Sequence, residues 1–299
     1  MLKVFLKICF FTALTFSRAA YASLNVEKIR GEYERALQTP FSLLPHKPNY
    51  LLPLSYQSNP HQSIYENVLS ASDIAENGEY NEKAEVNFQI SFSILAEDNI
   101  FGSGRGLFFA YTQQSWWQMY NSSWSRPFRE TNYSPEFFVR RVLDKPHPLL
   151  GGLVLAYDLG VIHESNGEIQ ALSRSWNRVF FRFVWIKGNT LVKTSLWHRL
   201  PESEKPDDNA DILDFMGNGE IEIEQFFNKG RLKLKLIPGY KRQGAQLFYS
   251  YPFKNNLRFF VKASIGYGSS LGDYMHRNNT VGVGVTLDDL LGALVKKPK

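Results

Sequence analysis

Residues 157–180 read YDLGVIHESNGEIQALSRSWNRVF, and the way this stretch pairs with itself decides the fold. Two strands joined by a tight connection are predicted, with residue i facing residue 340 − i and the turn centred on Gln170. Ser165 then faces Ser175, His163 faces Asn177, Val161 faces Val179, and Leu159 faces Phe181. Strand side chains alternate between faces with period two, so His163, Ser165 and Asn177 project to one side of one hairpin. A hydroxyl, an imidazole and an amide in that grouping are the parts of a nucleophile, a base and a group that orients the base.

Extending the parity outward shows which side this is. Leu153, Leu155, Tyr157, Leu159 and Val161 share the face of His163, and Val179, Phe181, Phe183 and Trp185 share the face of Asn177. The opposite parity carries Gly152, Ala156, Asp158, Gly160, Glu164, Arg178 and Arg182, with Val154 and Ile162 as apolar exceptions. Apolar outside and small or polar inside is the pattern of a transmembrane β-barrel wall. The three polar residues therefore sit at one end of a continuous lipid-facing surface. Polar groups facing lipid carry a free-energy cost and are functional candidates by default.

Alternation recurs elsewhere. In 85–95, Val86, Phe88, Ile90, Phe92 and Ile94 alternate with Asn87, Gln89, Ser91 and Ser93, a strand with one greasy and one polar face. Further strands are predicted over 51–56, 107–120, 135–143, 149–165, 191–200, 220–227, 231–240, 246–251, 257–268 and 280–287. Asp144–Pro148 reads as a short turn, 121–133 as a polar loop, and 57–84 as a long loop. Trp116, Trp117 and Tyr120 are placed in an interfacial aromatic girdle. The expectation is an all-β, transmembrane antiparallel β-barrel of about twelve strands, an even number as such barrels require. Short turns near 144–148, 187–190, 228–230 and 253–256 alternate with longer connections. Barrels of this kind keep short turns inside and long loops outside, so the 166–174 connection is expected at the extracellular rim.

The chain opens MLKVFLKICFFTALTFSRAAYAS, with Lys3 and Lys7 before an apolar run and Ala20-Tyr21-Ala22 before Ser23. Residues 1–22 are expected to be a secretory signal peptide, followed by one domain over 23–299. That domain has an N-terminal arm over about 23–50, placed near the barrel mouth, and a short basic tail over 292–299. Cys9, the only cysteine, falls in the signal, which excludes disulfides and cysteine chemistry from the mature chain. Removing residues 1–22, which hold Lys3, Lys7 and Arg18 and no acid, takes the net charge from +5 to +2. Nothing in that balance points to nucleic acid.

Ser165 is the expected nucleophile, His163 the general base and then acid, and Asn177 the group that fixes the imidazole. Backbone amides of Ser165 and Gly167 are the expected oxyanion donors. Ser125, Ser173, Glu164 and Glu168 make an oxygen-rich rim that suits Ca²⁺ rather than zinc. His46, His61, His147, His198 and His276 are read as surface residues. A rival class, a non-enzymatic channel or adhesin barrel, draws on Arg178 and Arg182 as pore-lining groups. Bulky Trp176 and Phe180 on the same face argue for a filled lumen. A protease or a lipid A deacylase of the outer membrane is a third reading.

At these residues the chain resembles the outer-membrane phospholipase A family of Gram-negative bacteria. The matching motif is His163-Glu164-Ser165-Asn166-Gly167 followed by Ser173-Arg174-Ser175-Trp176-Asn177-Arg178. Also matching are Tyr111-Thr112-Gln113, Ser115-Trp116-Trp117-Gln118, Pro127-Phe128-Arg129-Glu130-Thr131-Asn132-Tyr133, Gly266-Tyr267-Gly268 and Val281-Gly282-Val283-Gly284-Val285. The likeness runs from about residue 85 to 291. The resemblance implies a twelve-stranded barrel with a Ser165-His163-Asn177 triad. It implies Ca²⁺-dependent hydrolysis of sn-1 and sn-2 acyl esters of phospholipids and lysophospholipids, switched on by homodimerisation in the outer membrane. By position it implies Ser125 and Ser173 as calcium ligands, with the main-chain carbonyl of Glu168, and Gln113 as a polar dimer contact. Glu168 stands where better-known members have Arg, and Gln170 replaces an acidic residue. The chain continues past Leu291 as GALVKKPK, residues 292–299, where such barrels commonly end in an aromatic residue.

Overall fold

The computed structural model describes residues 26–287, apart from 39, 66–67, 103, 202–206, 228 and 255. The expected signal peptide and basic tail lie outside the described residues. The chain runs α1 (Val26–Ala36), β1 (Leu44–Pro45), β2 (Tyr50–Gln57), α2 (Ala71–Asn77), β3 (Ala84–Asp98), β4 (Arg105–Trp117), β5 (Phe128–Leu149) and β6 (Gly152–Ser165). It continues with β7 (Ser175–Lys187), β8 (Thr190–Leu200), α3 (Ile212–Met216), β9 (Gly219–Phe227), β10 (Gly230–Ile237), β11 (Gly244–Lys254), β12 (Leu257–Gly266) and β13 (Thr280–Leu287). Each strand from β2 to β13 pairs antiparallel with the next, and β13 pairs back onto β2. The sheet is thus closed, with no free edge along the wall. The short β1 pairs with β3 at Leu44↔Ser93, further along the same strand that β2 pairs at Tyr50↔Gln89. The two segments share one strand position, so the barrel has twelve.

The central hairpin follows the expected register. Ser165↔Ser175, His163↔Asn177, Leu159↔Phe181 and Ala156↔Val184 are direct partners. Leu159, Val161, Val179 and Phe181 are exposed, while Asp158, Trp176, Arg178 and Phe180 are buried inside. The parity fails below Ala156. A register shift between Val154 and Ala156 adds a residue to β6, and Leu155, expected outside, is fully buried within. A bulge of this kind flips the local face. The Asp144–Pro148 segment is likewise not the turn. β5 runs on to Leu149, with a register shift between Val142 and His147, and Leu150-Gly151 makes the turn. At the other end, β5 begins at Phe128, so the expected 121–133 loop shrinks to 118–127.

The lumen is filled from both ends. Val26, Ile29, Tyr33 and Ala36 recur at helical spacing, and α1 turns that face inward rather than lying across the mouth. Ile29 and Tyr33 pack with Val142, Leu155, Val184, Ile186, Leu191 and Phe226 near the short-turn end. After α1 the chain kinks and puts His46 and Lys47 into the lumen. His46 Nε2 and Lys47 Nζ lie 3.1 and 3.0 Å from the buried carboxylate of Glu136, which also pairs with Arg182 at 3.0 Å. His46 is therefore an interior residue, contrary to the sequence expectation. Arg140 and Arg182 share Asp158 at 2.8 and 3.3 Å. Such ion pairs neutralise charge that the wall would otherwise present unpaired.

Candidate active site

The three polar residues stand where the strand parity predicts, at the long-loop end of the lipid-facing wall. His163 Nδ1 lies 2.9 Å from Asn177 Oδ1, on an exposed surface. An amide oxygen only accepts, so Nδ1 carries the proton and donates. Nε2 is left with its lone pair, the tautomer a general base needs. The Gly167 N–H donates to Ser165 Oγ at 3.1 Å. No hydrogen bond joins His163 to Ser165 directly; their side chains share a face and are separated by one inward residue. Tyr133, on β5, is the direct cross-strand partner of Ser165.

The inward residue, Glu164, is the backing of the site. Its Oε2 accepts from Trp176 Nε1 at 2.9 Å and from Arg178 Nη2 at 2.6 Å. These donors flank Asn177 in sequence, so one carboxylate on β6 grips β7 on either side of the residue that must meet His163. The Arg178 guanidinium lies 3.7 Å over the Trp176 ring, a cation–π contact in a dry position. Glu164, expected among the rim oxygens, is spent on this clasp instead.

The 166–174 loop is held by Asn166, whose role the sequence reading missed. Asn166 Nδ2 donates to the Leu172 carbonyl at 2.7 Å, and Oδ1 accepts from the amides of Arg174 at 2.9 Å and Glu168 at 3.3 Å. A buried amide side chain with several partners fixes a loop more tightly than its length suggests. Gly167 has φ +69°, and a Cβ there would come within 3.0 Å of the Tyr133 ring. Both facts call for glycine.

Ser125, Glu168 and Ser173 lie in neighbouring rim connections. Ser125 is exposed at φ +58° in the 118–127 loop. The Ser173 carbonyl accepts from Arg174 Nη1 at 2.6 Å. Gln113 sits on the outward face of β4, where Tyr111 Oη donates to its Oε1 and its Nε2 donates to Ser115 Oγ, each at 3.3 Å. Among the described residues no three His, Cys, Asp or Glu side chains cluster as a metal site.

The long 58–83 segment braces this end. Asn121 Nδ2 donates to the Glu79 and Tyr80 carbonyls at 3.0 and 3.1 Å, and Trp124 Nε1 to the Gly78 carbonyl at 3.1 Å. Tyr80 packs edge-on against Trp124. Burial first, and the charge of Glu168 second, push the Tyr80 hydroxyl above its usual range. Trp116, expected in the girdle, is buried inside, with Arg129 5.6 Å and Lys262 5.9 Å from its ring. His61 is bonded to Asp273 at 2.9 Å and stacks on His276 at 4.2 Å. Neither is a free surface histidine.

The chain matches the family model for phospholipase A1 over residues 27–287. It is 36% identical over 255 residues to phospholipase A1 of Escherichia coli K12, covering 84% of this chain and 83% of the relative. It superposes on the outer-membrane phospholipase A of Escherichia coli with a TM-score of 0.77 at 34% identity, covering 91% of this chain and 100% of the other. The outer-membrane phospholipase dimer of Salmonella typhi, solved with bound calcium, gives a TM-score of 0.77 at 34% identity, covering 87% and 99%. With the lipid-facing wall and the rim position of the site, these likenesses settle the assignment: the chain belongs to the phospholipase A1 family, as a phospholipase A1-type hydrolase of the outer membrane.

Proposed function

We propose that this chain hydrolyses acyl esters of membrane phospholipids by a Ser165-His163-Asn177 mechanism that depends on calcium and on pairing of two barrels. The observation that carries the reading is the His163 Nδ1–Asn177 Oδ1 contact of 2.9 Å on a wall that otherwise faces lipid. His163 Nε2 takes the Ser165 proton as Oγ attacks the ester carbonyl, then returns it to the leaving alcohol. Water, activated by the same imidazole, releases the fatty acid. Asn177 holds the ring and its tautomer without contributing a charge. Gly167 N–H, already directed at Ser165 Oγ, and the Ser165 amide are the oxyanion donors. The substrates are phospholipids and lysophospholipids, at both the sn-1 and sn-2 positions.

The rim fits a hard cation. The hydroxyls of Ser125 and Ser173 and the main-chain carbonyl of Glu168 are oxygen donors, the ligand type calcium selects. Calcium held there supplies positive charge that stabilises the oxyanion. Three oxygens from one chain fall short of the six to eight that calcium takes. A second copy and water complete the set, which ties metal binding to the dimer. Gln113, on the outward wall, is a polar contact in that interface. Pairing also gives an enzyme embedded in its own substrate an off state.

The test is fatty-acid release from mixed phospholipid–detergent micelles, with calcium or chelator, by the refolded wild type and Ser165→Ala. Calcium-dependent release that disappears in a folded Ser165→Ala barrel is expected. A folded, dimeric wild type that releases nothing would overturn the reading. The channel reading has little room, because Trp176, Phe180 and the ion pairs around Glu136 and Asp158 occupy the lumen.

A further inference from the structure

The barrel interior holds one lysine whose surroundings differ from those of its neighbours. Lys47 pairs with Glu136 at 3.0 Å, Lys233 with Glu222 at 3.7 Å, and Lys235 with Glu220 at 2.5 Å. Lys262, on β12 and 6% exposed, has no carboxylate partner among the described residues. Its Nζ donates to Tyr50 Oη at 3.0 Å and to Asn87 Oδ1 at 3.3 Å. Both acceptors are neutral, and the Tyr50 hydroxyl is itself bonded to Asn87 at 3.1 Å. In its ammonium form Lys262 has three donors, so one remains, and no carboxylate among the described residues pairs with that charge.

That donor borders a cavity of about 110 Å³ that Lys262 lines with Gln114, Lys233, Lys235, Glu164 and Glu222, under a roof formed by 268–271. Gln114 Nε2, on β4, is buried and has no hydrogen-bond partner among the described residues. A buried unpaired cation and a buried unpaired donor thus border one space. Each alone is costly; together they define the complement of an anion. The two lining carboxylates are already engaged, Glu222 by Lys233 and Glu164 by Arg178, and Lys235 has Glu220, so the surplus on this side amounts to one charge. We infer that the lumen contains a binding site for a small inorganic monoanion, of chloride or bromide size, between Lys262 and Gln114. The anion restores neutrality behind β2, β3 and β12 without another acidic side chain. The roof lies at the long-loop end, so exchange is with the outside solution.

The proposal is tested on the refolded full chain, with bromide as the probe. Crystals soaked in bromide are expected to show an anomalous peak beside Lys262 Nζ. At constant ionic strength, replacing a bulky organic anion by bromide is expected to raise the unfolding midpoint of the wild type saturably. Lys262→Met is expected to lose that rise and keep its phospholipase activity. Gln114→Met, which retains the lysine, is expected to shift saturation to higher bromide, and it serves if Lys262→Met fails to fold. Absence of the peak at Lys262 would overturn the inference. So would a folded Lys262→Met, or failing that Gln114→Met, that follows the wild-type bromide curve.

Discussion

Replacing Glu164 by alanine isolates the clasp behind the triad. In the wild type its carboxylate holds Arg178, whose side chain is 7% exposed, while Glu164 itself is 19% exposed. Removing one partner of a buried ion pair costs about 3–5 kcal/mol, because the other charge stays buried. Trp176 Nε1 also loses its acceptor, a group whose desolvation alone is worth about 1–3 kcal/mol. Partial exposure of Glu164 admits water to both donors, so the lower end, about 3 kcal/mol in total, is the expected loss. Glu164→Gln keeps a neutral acceptor and should lose about 1 kcal/mol. Adding Arg178→Met to Glu164→Ala removes the stranded cation, and about 2 kcal/mol of coupling should return. The assay is urea unfolding of the folded barrel in detergent micelles, run beside fatty-acid release. Turnover should fall more than substrate binding, because the clasp holds the strands that carry His163 and Asn177. A Glu164→Ala barrel within about 0.5 kcal/mol of wild type, or a double variant no more stable than the single, would refute the clasp.

Asn177→Ala removes the acceptor of a hydrogen bond to an imidazole that becomes charged during turnover. Such bonds are worth about 1.5–3 kcal/mol, so kcat should fall about 10- to 150-fold with KM little changed, as read by initial rates in micelles. Gly167→Ala forces a side chain into a left-handed backbone at a cost of about 1–2 kcal/mol and against Tyr133; slower turnover with an intact barrel, seen by circular dichroism, is expected. Asp273 is buried, which by itself raises its carboxyl, but Arg129 at 2.6 Å and His61 outweigh that and hold it below the usual range. A depressed folded value stabilises above the unfolded value of about 3.9 and is lost as pH falls through the folded one. Limited proteolysis of the 267–279 loop should therefore rise below about pH 4, and Asp273→Asn should be cut readily at neutral pH as well.

The central hairpin was legible because its signal is redundant. Apolar and polar faces alternate on both arms, and the partner register follows once the turn is placed. A one-residue slip would have put Asp158 and Arg182 into lipid. What failed were places where geometry departs from strict alternation without a local mark. Nothing in Leu-Val-Leu-Ala announces the bulge that buries Leu155. Pro146 and Pro148 read as a turn, yet they lie beside a register shift where the missing amide donors are tolerated. Trp116 and Trp117 are adjacent in a strand, so both cannot face the interface, and alternation alone would have sent one inside. His46 was out of reach, because its burial depends on the arm entering the lumen, a tertiary fact with no counterpart in neighbouring residues. At the site, the three outward side chains were readable from parity. The inward clasp and the Asn166 hub were not, since both depend on hydrogen bonds across the loop rather than on periodicity.

The N-terminal arm also constrains time. α1 precedes the strand that forms one side of the closing seam, where Tyr50–Gln57 meets Thr280–Leu287. Once that seam is hydrogen-bonded, a helix with Ile29 and Tyr33 buried among inward side chains has no lateral way in. Of the described strands, the one synthesised last, β13, is thus the one that shuts the wall. The first segment must already be seated, or enter lengthwise through the short-turn end. Its apolar face and the inner wall near Leu155 then act as a template for closure, and weakening that contact should slow completion of the barrel rather than only loosen the finished one.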